Sequence, residues 1–308
     1  MIKALFIVGP TASGKTDLSI YLAKNLNGEI ISADSMQIYK GIHIASAAPE
    51  ESEKCGIPHH LFEFLELQDE YSVADYVKTA RSVIKEVSDR KKLPIIVGGT
   101  GLYVSSLLDN IEFLSEETDY TLRKSLEEKL NKIGGEAMLK ELAVFDKASA
   151  ERLHPNNRRR IIRAFEVYLQ TGKTITEQNE ISRRNKSDMK ALVLGITFKN
   201  REILYDRINR RVDIMLQNGL FEEARQTFGK DKKGAFQAIG HKELYPAISG
   251  EKTLEECTEH LKQQTRRYAK RQLTWFNRDS RINWLYPDID ENYFEKALNK
   301  AEEFLKEE

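Results

Sequence analysis

Apolar positions along the chain come in two rhythms. Ala4-Leu5-Phe6-Ile7-Val8 is an unbroken run, Glu29–Ser32 is a shorter one, and Leu93–Val97, led in by Pro94, is a third. Short apolar runs closed by turn residues predict strands buried on both faces. Between them the spacing turns helical. Leu18, Leu22 and Leu26 follow the first run, and Ser72–Lys92 carries Val73, Tyr76, Val77, Ala80, Val83, Ile84 and Val87 on one side, with Ser72 placed to cap it. Strand and helix therefore alternate through residues 1–110, the pattern of a parallel sheet covered by helices.

From Ile111 to Ser187 the strand rhythm is replaced by charged amphipathic helix: Thr118–Ile133, Glu136–Phe145 and Pro155–Gln170. A strand returns at Lys190–Thr197, followed by helices over Arg201–Asn218 and Thr253–Phe276 and a last strand at Ile282–Tyr286. The expectation is an α/β fold in which residues 1–110 and 188–308 form one core and 111–187 an all-helical insertion. Ligands of parallel sheets sit at the carboxyl ends of strands. Three segments qualify: the glycine-rich loop after the first strand, Ala33-Asp34-Ser35, and Gly98-Gly99-Thr100-Gly101.

Composition narrows the class. The 308 residues are 40% hydrophobic and 31% charged, and no apolar run approaches the ~20 residues of a membrane span. The first apolar run ends in a glycine-rich loop, so it is expected to be a strand and not a signal peptide. Cys55 and Cys257 have no paired spacing, which fits a reducing, cytoplasmic setting. Forty-eight basic residues balance 48 acidic ones, but unevenly. His154–Lys186 holds eight Lys/Arg against three Asp/Glu, and Lys262–Arg281 seven against one, whereas Asp288–Glu308 holds three against eight. Two basic blocks on a neutral chain suit either solvated helix faces or a local nucleic-acid footprint.

The glycine-rich loop is the sharpest chemical signal. Gly9, Pro10, Thr11, Ala12, Ser13, Gly14, Lys15 and Thr16 spell G-x-x-x-x-G-K-[ST], set between a strand and a helix. Such a loop points backbone N–H groups at phosphate, with Lys15 adding charge and Thr16 a hydroxyl for Mg²⁺. The motif leaves open whose phosphate is bound, and whether it is transferred, hydrolysed or expelled.

Further segments answer that by likeness. GPTASGKT, IISADSMQIYKG, IPHHL, PIIVGGTGLYV, QAIGHKEL and TRRYAKRQLTWF occur in one order over nearly the whole chain, which resembles the tRNA dimethylallyltransferases (tRNA isopentenyltransferases). The resemblance implies transfer of a dimethylallyl group from dimethylallyl diphosphate to N6 of the adenine at tRNA position 37, with release of diphosphate. It implies Asp34 as the base acting on that amine, the rival role for Asp34 being a Mg²⁺ ligand. Lys15, Thr100 and Arg207 would act on the leaving diphosphate. Ser35, Met36 and Gln37 would meet the adenine beside Asp34 and Thr100, and Arg123 with Arg159-Arg160-Ile161-Ile162-Arg163 would meet the tRNA. Arg266–Arg271 are further candidates.

The loop makes Mg²⁺ the expected cofactor, held through Thr16; no membrane contact is expected, and with no strong interface signal the expectation is a monomer. His59 and His60 are read as structural or pocket residues, and Trp275 and Phe276 as core. One departure from the family pattern is Ala48, where a lysine is usual. Two other readings of the residues stay open. One is a P-loop kinase or ATPase that binds ATP and uses the insertion as a lid. The other is a nucleotide-gated RNA-binding module without chemistry, which would need no acid at position 34.

Overall fold

The structure, a computed structural model, describes residues 1–111, 119–184, 189–229 and 238–307. They fall into two compact units, Met1–Leu108 with Asp188–Glu308, and Asp109–Ser187.

The first unit is built on six parallel strands: β1 Ile2–Val8, β2 Gly28–Ser32, β3 His59–His60, β4 Leu93–Gly98, β5 Met189–Ile196 and β6 Ile282–Leu285. Their order is β3-β2-β4-β1-β5-β6. The last five residues of β1 and all of β2 and β4 are buried, as their apolar runs require when helices cover both faces. Register places Val8 beside Gly98 and Ser32 beside Val97, so β1, β4 and β2 end at one edge. The three predicted ligand-binding segments thus become neighbours.

The covering helices are α1 Lys15–Leu26, the short α2 His43–Ser46 and α3 Glu51–Lys54, α4 Val73–Asp89 and α5 Gly101–Leu108. After the insertion come α10 Arg201–Gln217, α11 Leu220–Thr227, α12 His241–Ile248, α13 Leu254–Phe276 and α14 Tyr293–Lys306. Ser72 caps α4 as its spacing predicts: its side chain accepts from the Asp75 N–H, and Asp75 reaches back to the Ser72 N–H at 2.9 Å. On α14, Ala297, Ala301 and Phe304 pack with Leu18 and Leu22 of α1.

The second unit is helical throughout its described residues: α6 Tyr120–Leu142, α7 Lys147–Arg152, α8 Arg158–Thr171 and α9 Ile175–Arg184. The helix expected from Thr118 begins at Tyr120; Thr118 itself, the basic residue Lys186 and Gln237 of the QAIGHKEL segment lie outside the described residues. α6 breaks at Gly134, between the two helices that the sequence predicts there. Leu126, Leu130, Met138, Leu142, Ile161 and Phe165 form the core of this unit.

Candidate active site

β1 runs into the loop Gly9–Gly14, and α1 starts at Lys15. Gly9 has φ 150°, and a Cβ there would sit 2.3 Å from the Ile196 carbonyl oxygen, so the loop can leave the sheet at this point only as glycine. Lys15 Nζ donates to the Pro10 carbonyl at 2.7 Å, and Arg207 Nε of α10 donates to the Ala12 carbonyl at 2.8 Å. Ser13 is 2% exposed, and its hydroxyl has no hydrogen-bond partner among the described residues. A buried hydroxyl with nothing to bond is costly unless a ligand supplies the acceptor.

Lys15 reaches into a cavity of about 340 Å³ whose polar wall includes Asp34, Ser35, Arg211 and Tyr268. Desolvation, and then the Arg211 guanidinium, lower its pKa to about 7 against the opposing pull of Asp34. Burial also lowers the pKa of Arg211, with Asp34 resisting. Two cations crowded in a desolvated place call for negative charge. The sequence reading omits Arg211. It lies one helical turn beyond Arg207, and that spacing on one α10 face could have flagged it.

Asp34 lies two residues past the end of β2. Its Oδ1 accepts from the Met36 N–H at 2.9 Å, whereas Oδ2 has no hydrogen-bond partner among the described residues. That leaves one carboxylate oxygen available to a ligand. Thr100 fastens the turn after β4 to the same place: its Oγ1 accepts from the Ser35 N–H at 3.0 Å, and its own N–H donates to the Ala33 carbonyl at 3.2 Å. Asp34, Ser35 and Thr100 therefore form one rigid corner.

Gln37 lines the cavity, and its amide is bonded within the wall. Its Oε1 accepts from Ser32 Oγ at 3.0 Å, and its Nε2 donates to the Ala47 carbonyl at 3.2 Å. The amide that the sequence reading gives to adenine holds the cavity wall. Met36 lines the cavity together with Val212, Met215, Ile239 and Leu261, which give it apolar lining beside the charged residues. The wall segment has a second fastening. Glu223 of α11 accepts from the Ile44 and Ala45 N–H groups at 2.8 and 2.9 Å, and His241 Nε2 contacts the same carboxylate at 2.8 Å. This ties part of QAIGHKEL to the wall. Ala48 is buried and lines a second cavity together with Ala12, Ser13 and Gly14 of the phosphate loop, so position 48 brings no cation to that loop.

His59 lines the cavity, while His60 Nε2 meets Glu29 at 2.7 Å beside Arg90, an ion pair under the sheet. Trp275 differs from the core position expected: it is 37% exposed, and its indole N–H donates to Ser105 Oγ at 2.8 Å. Its neighbour Phe276 is 2% exposed and is core.

In the helical unit, Arg158, Arg159, Arg160 and Arg163 are exposed on α8. The first three occupy its opening turn, which has no acidic residue and no side-chain cap. Cations beside the positive end of a helix dipole weaken the helix by themselves, so the arrangement serves an external anion better than it serves stability. The expected contact residues Ile161 and Ile162 point inward, at 0% and 6% exposure, because alternate faces of an amphipathic helix cannot both meet solvent. They fix the arginines from below.

Arg123 is also engaged: Nε and Nη2 bond the buried Glu166 carboxylate at 2.6 and 3.0 Å. Its charge is matched within the unit. Arg123→Ala should therefore destabilise the protein by about 3 kcal/mol by stranding a buried carboxylate, seen as a lower denaturation midpoint. An unchanged midpoint would mean that Arg163, 3.6 Å from Glu166, suffices as its partner.

The phosphate loop and the acid thus line one cavity, and the threonine turn is bonded to Ser35 beside the acid, each delivered by a different strand. A family model described as "IPP transferase" matches residues 37–279. The chain belongs to the IPP transferase family. Within this family it is 47% identical over 291 residues to a tRNA dimethylallyltransferase of Acetivibrio thermocellus, covering 94% of this chain and 93% of that one. Among solved structures it resembles the tRNA isopentenylpyrophosphate transferase of Bacillus halodurans, with 40% identity, a TM-score of 0.75 and coverage of 99% and 97% of the two chains. A eukaryotic dimethylallyltransferase acting on tRNA superposes with a TM-score of 0.85 at 29% identity, covering 99% of this chain and 80% of that one. The family match starts at residue 37, beyond the phosphate loop and Asp34.

Proposed function

We propose that this protein is a tRNA dimethylallyltransferase that moves the dimethylallyl group of dimethylallyl diphosphate onto N6 of the adenine at tRNA position 37. The observation that carries this reading is the placement of Lys15 and Asp34 on one cavity wall. A leaving-group cation and a proton acceptor are what an allylic transfer to an amine requires.

The C1–O bond of the donor breaks while a bond forms between C1 and N6. Diphosphate departs with the bonding pair, and the N6 proton passes to the carboxylate of Asp34. Charge gathers on the diphosphate, where the loop N–H groups, the Ser13 hydroxyl, Lys15, Arg207 and Arg211 can meet it. Thr100 holds Ser35, and with it the Asp34 turn, at the place where the amine must arrive.

Mg²⁺ fits this site in a limited way. Among the described residues no group of three or more His, Cys, Asp or Glu could hold a metal, and Thr16 offers one exposed hydroxyl. An ion here would take most of its ligands from diphosphate oxygens and water, as Mg²⁺ commonly does. When bound it would add positive charge at the leaving group.

The exposed arginines Arg159, Arg160 and Arg163 supply the tRNA footprint. Converting all three to Ala should weaken tRNA binding and shallow the slope of log affinity against log salt by about 2, which a salt titration measures. An unchanged slope would remove α8 from the footprint. No helix among the described residues is long and apolar enough to cross a membrane, and the reading places the protein with its tRNA in the cytoplasm, as a monomer. The deciding assay supplies dimethylallyl diphosphate, Mg²⁺ and unmodified tRNA, and measures diphosphate release together with prenylated adenine. ATP turnover with unmodified RNA would replace this reading by a P-loop ATPase.

A further inference from the structure

α13 ends beneath the site, and its Gln272 joins the two loops that the chemistry needs side by side. Oε1 of Gln272 accepts from the Thr11 N–H of the phosphate loop at 2.9 Å, and Nε2 donates to the Gly99 carbonyl of the threonine turn at 3.0 Å. The residue is 5% exposed. Both partners fix the orientation of the amide, because a flipped group would set a donor against Thr11 N–H and an acceptor against Gly99 carbonyl.

The fit leaves no slack. A Cβ at position 99 would lie 2.1 Å from Gln272 Nε2, so glycine there is what lets the amide come so close. One helical turn earlier, the half-buried Tyr268 phenol has its pKa raised by desolvation and by Asp34, an effect that side-chain hydrogen bonds with Thr100 and Gln272 offset only in part. Among the described residues no other side chain hydrogen-bonds both the phosphate loop and the threonine turn.

We infer that Gln272 is a positioning residue that sets the distance between the departing diphosphate and the incoming amine. The inference rests on the transferase reading above. The donor is held by the loop after β1, and the acceptor by the corner that Thr100 shares with Ser35 and Asp34. Paired strands fix the roots of these loops, the last β1–β4 pairing being Val8 with Gly98. Beyond that pairing the Gln272 amide bonds both loops. A reacting pair needs approach to about 3–3.5 Å, and a misplacement of about 1 Å can cost on the order of 100-fold in rate. Gln272 lies at the edge of the cavity lining with both polar atoms of its amide already bonded. It acts through Thr11 and Gly99.

The test uses Gln272→Met, similar in length but unable to make either bond, and Gln272→Glu, which can keep the acceptor toward Thr11 but opposes the Gly99 carbonyl. Single-turnover prenyl transfer would be followed with donor and tRNA saturating. Separate affinities would be measured for tRNA and for a dimethylallyl diphosphate analogue with a non-departing bridge atom, alongside the melting temperature. The expected result is a single-turnover rate lower by about 100-fold in Gln272→Met, with both separate affinities and the melting temperature close to wild type. Gln272→Glu should fall between the two.

Unchanged rates in both variants, or a loss fully recovered at higher donor concentration, would overturn the inference. If Gln272→Met fails to fold, Gln272→Glu and the amide hydrogen exchange of Thr11 decide: a normal rate with faster exchange also overturns it. A wild-type protein that transfers no prenyl group overturns the underlying reading instead, and so the two failures are told apart.

Discussion

Asp34→Asn should bind donor and tRNA much as wild type does and lose transfer by about 10²–10⁴-fold. The amide matches the carboxylate in shape and can still accept from the Met36 N–H, so the turn that presents it survives. What it lacks is the capacity to take a proton from N6. Adenine's amino lone pair is delocalised into the ring, and the amine attacks well only as that proton departs. The measurement is single-turnover prenylation at saturating substrates, with separate binding isotherms. A rate near wild type would show that Asp34 does not accept the proton. A collapse of tRNA affinity would show that its work is recognition.

Lys15→Met should reduce transfer by about 10²–10³-fold, the range seen when one stabilising group is removed from a developing anion. It should also change how donor affinity responds to pH. With its pKa lowered to about 7, Lys15 is largely charged below that pH and largely neutral above it. Bound diphosphate favours the charged form and raises the pKa in the complex, so binding above pH 7 takes up a proton. Donor affinity in the wild type should then fall as pH rises from 7 toward 9, and this part of the dependence should vanish in Lys15→Met. Titrations of the non-departing donor analogue across that range, for both proteins, supply the comparison. Parallel curves would show that Lys15 titrates outside the window.

Much of this site is legible in the residues because its parts are local. The phosphate loop is eight consecutive positions, and Asp34 and Thr100 each follow directly on an apolar run, so strand ends locate them. Alternation of strand and helix also foretells the parallel sheet, since both signals come from the periodicity of burial. What escapes is whatever depends on distant chain segments meeting. Gln272 lies 173 positions from the glycine carbonyl it bonds, and no local pattern links the two. Glu223 reaches the wall segment at Ile44 from 179 positions away in the same manner.

Arg123 and Gln37 show the converse limit. Beside the RNA contacts expected of them, a buried carboxylate and a backbone carbonyl engage their side chains, and neither partner has a sequence signature. β3, only two residues long, is too short to show a period. α14 is different: Ala297, Ala301 and Phe304 stand at helical spacing, and the charge of the tail obscures them.

The contact of Lys15 with the Pro10 carbonyl has a bearing on which solutes the cradle admits. The ammonium already has a partner within its own loop, so an incoming oxyanion must displace that carbonyl before gaining the cation. Singly charged, diffuse ions gain little from such an exchange, whereas a compact diphosphate with several oxygens gains at many points together. Selection among solutes would therefore begin with a swap of acceptors at one nitrogen, ahead of any recognition of the hydrocarbon tail.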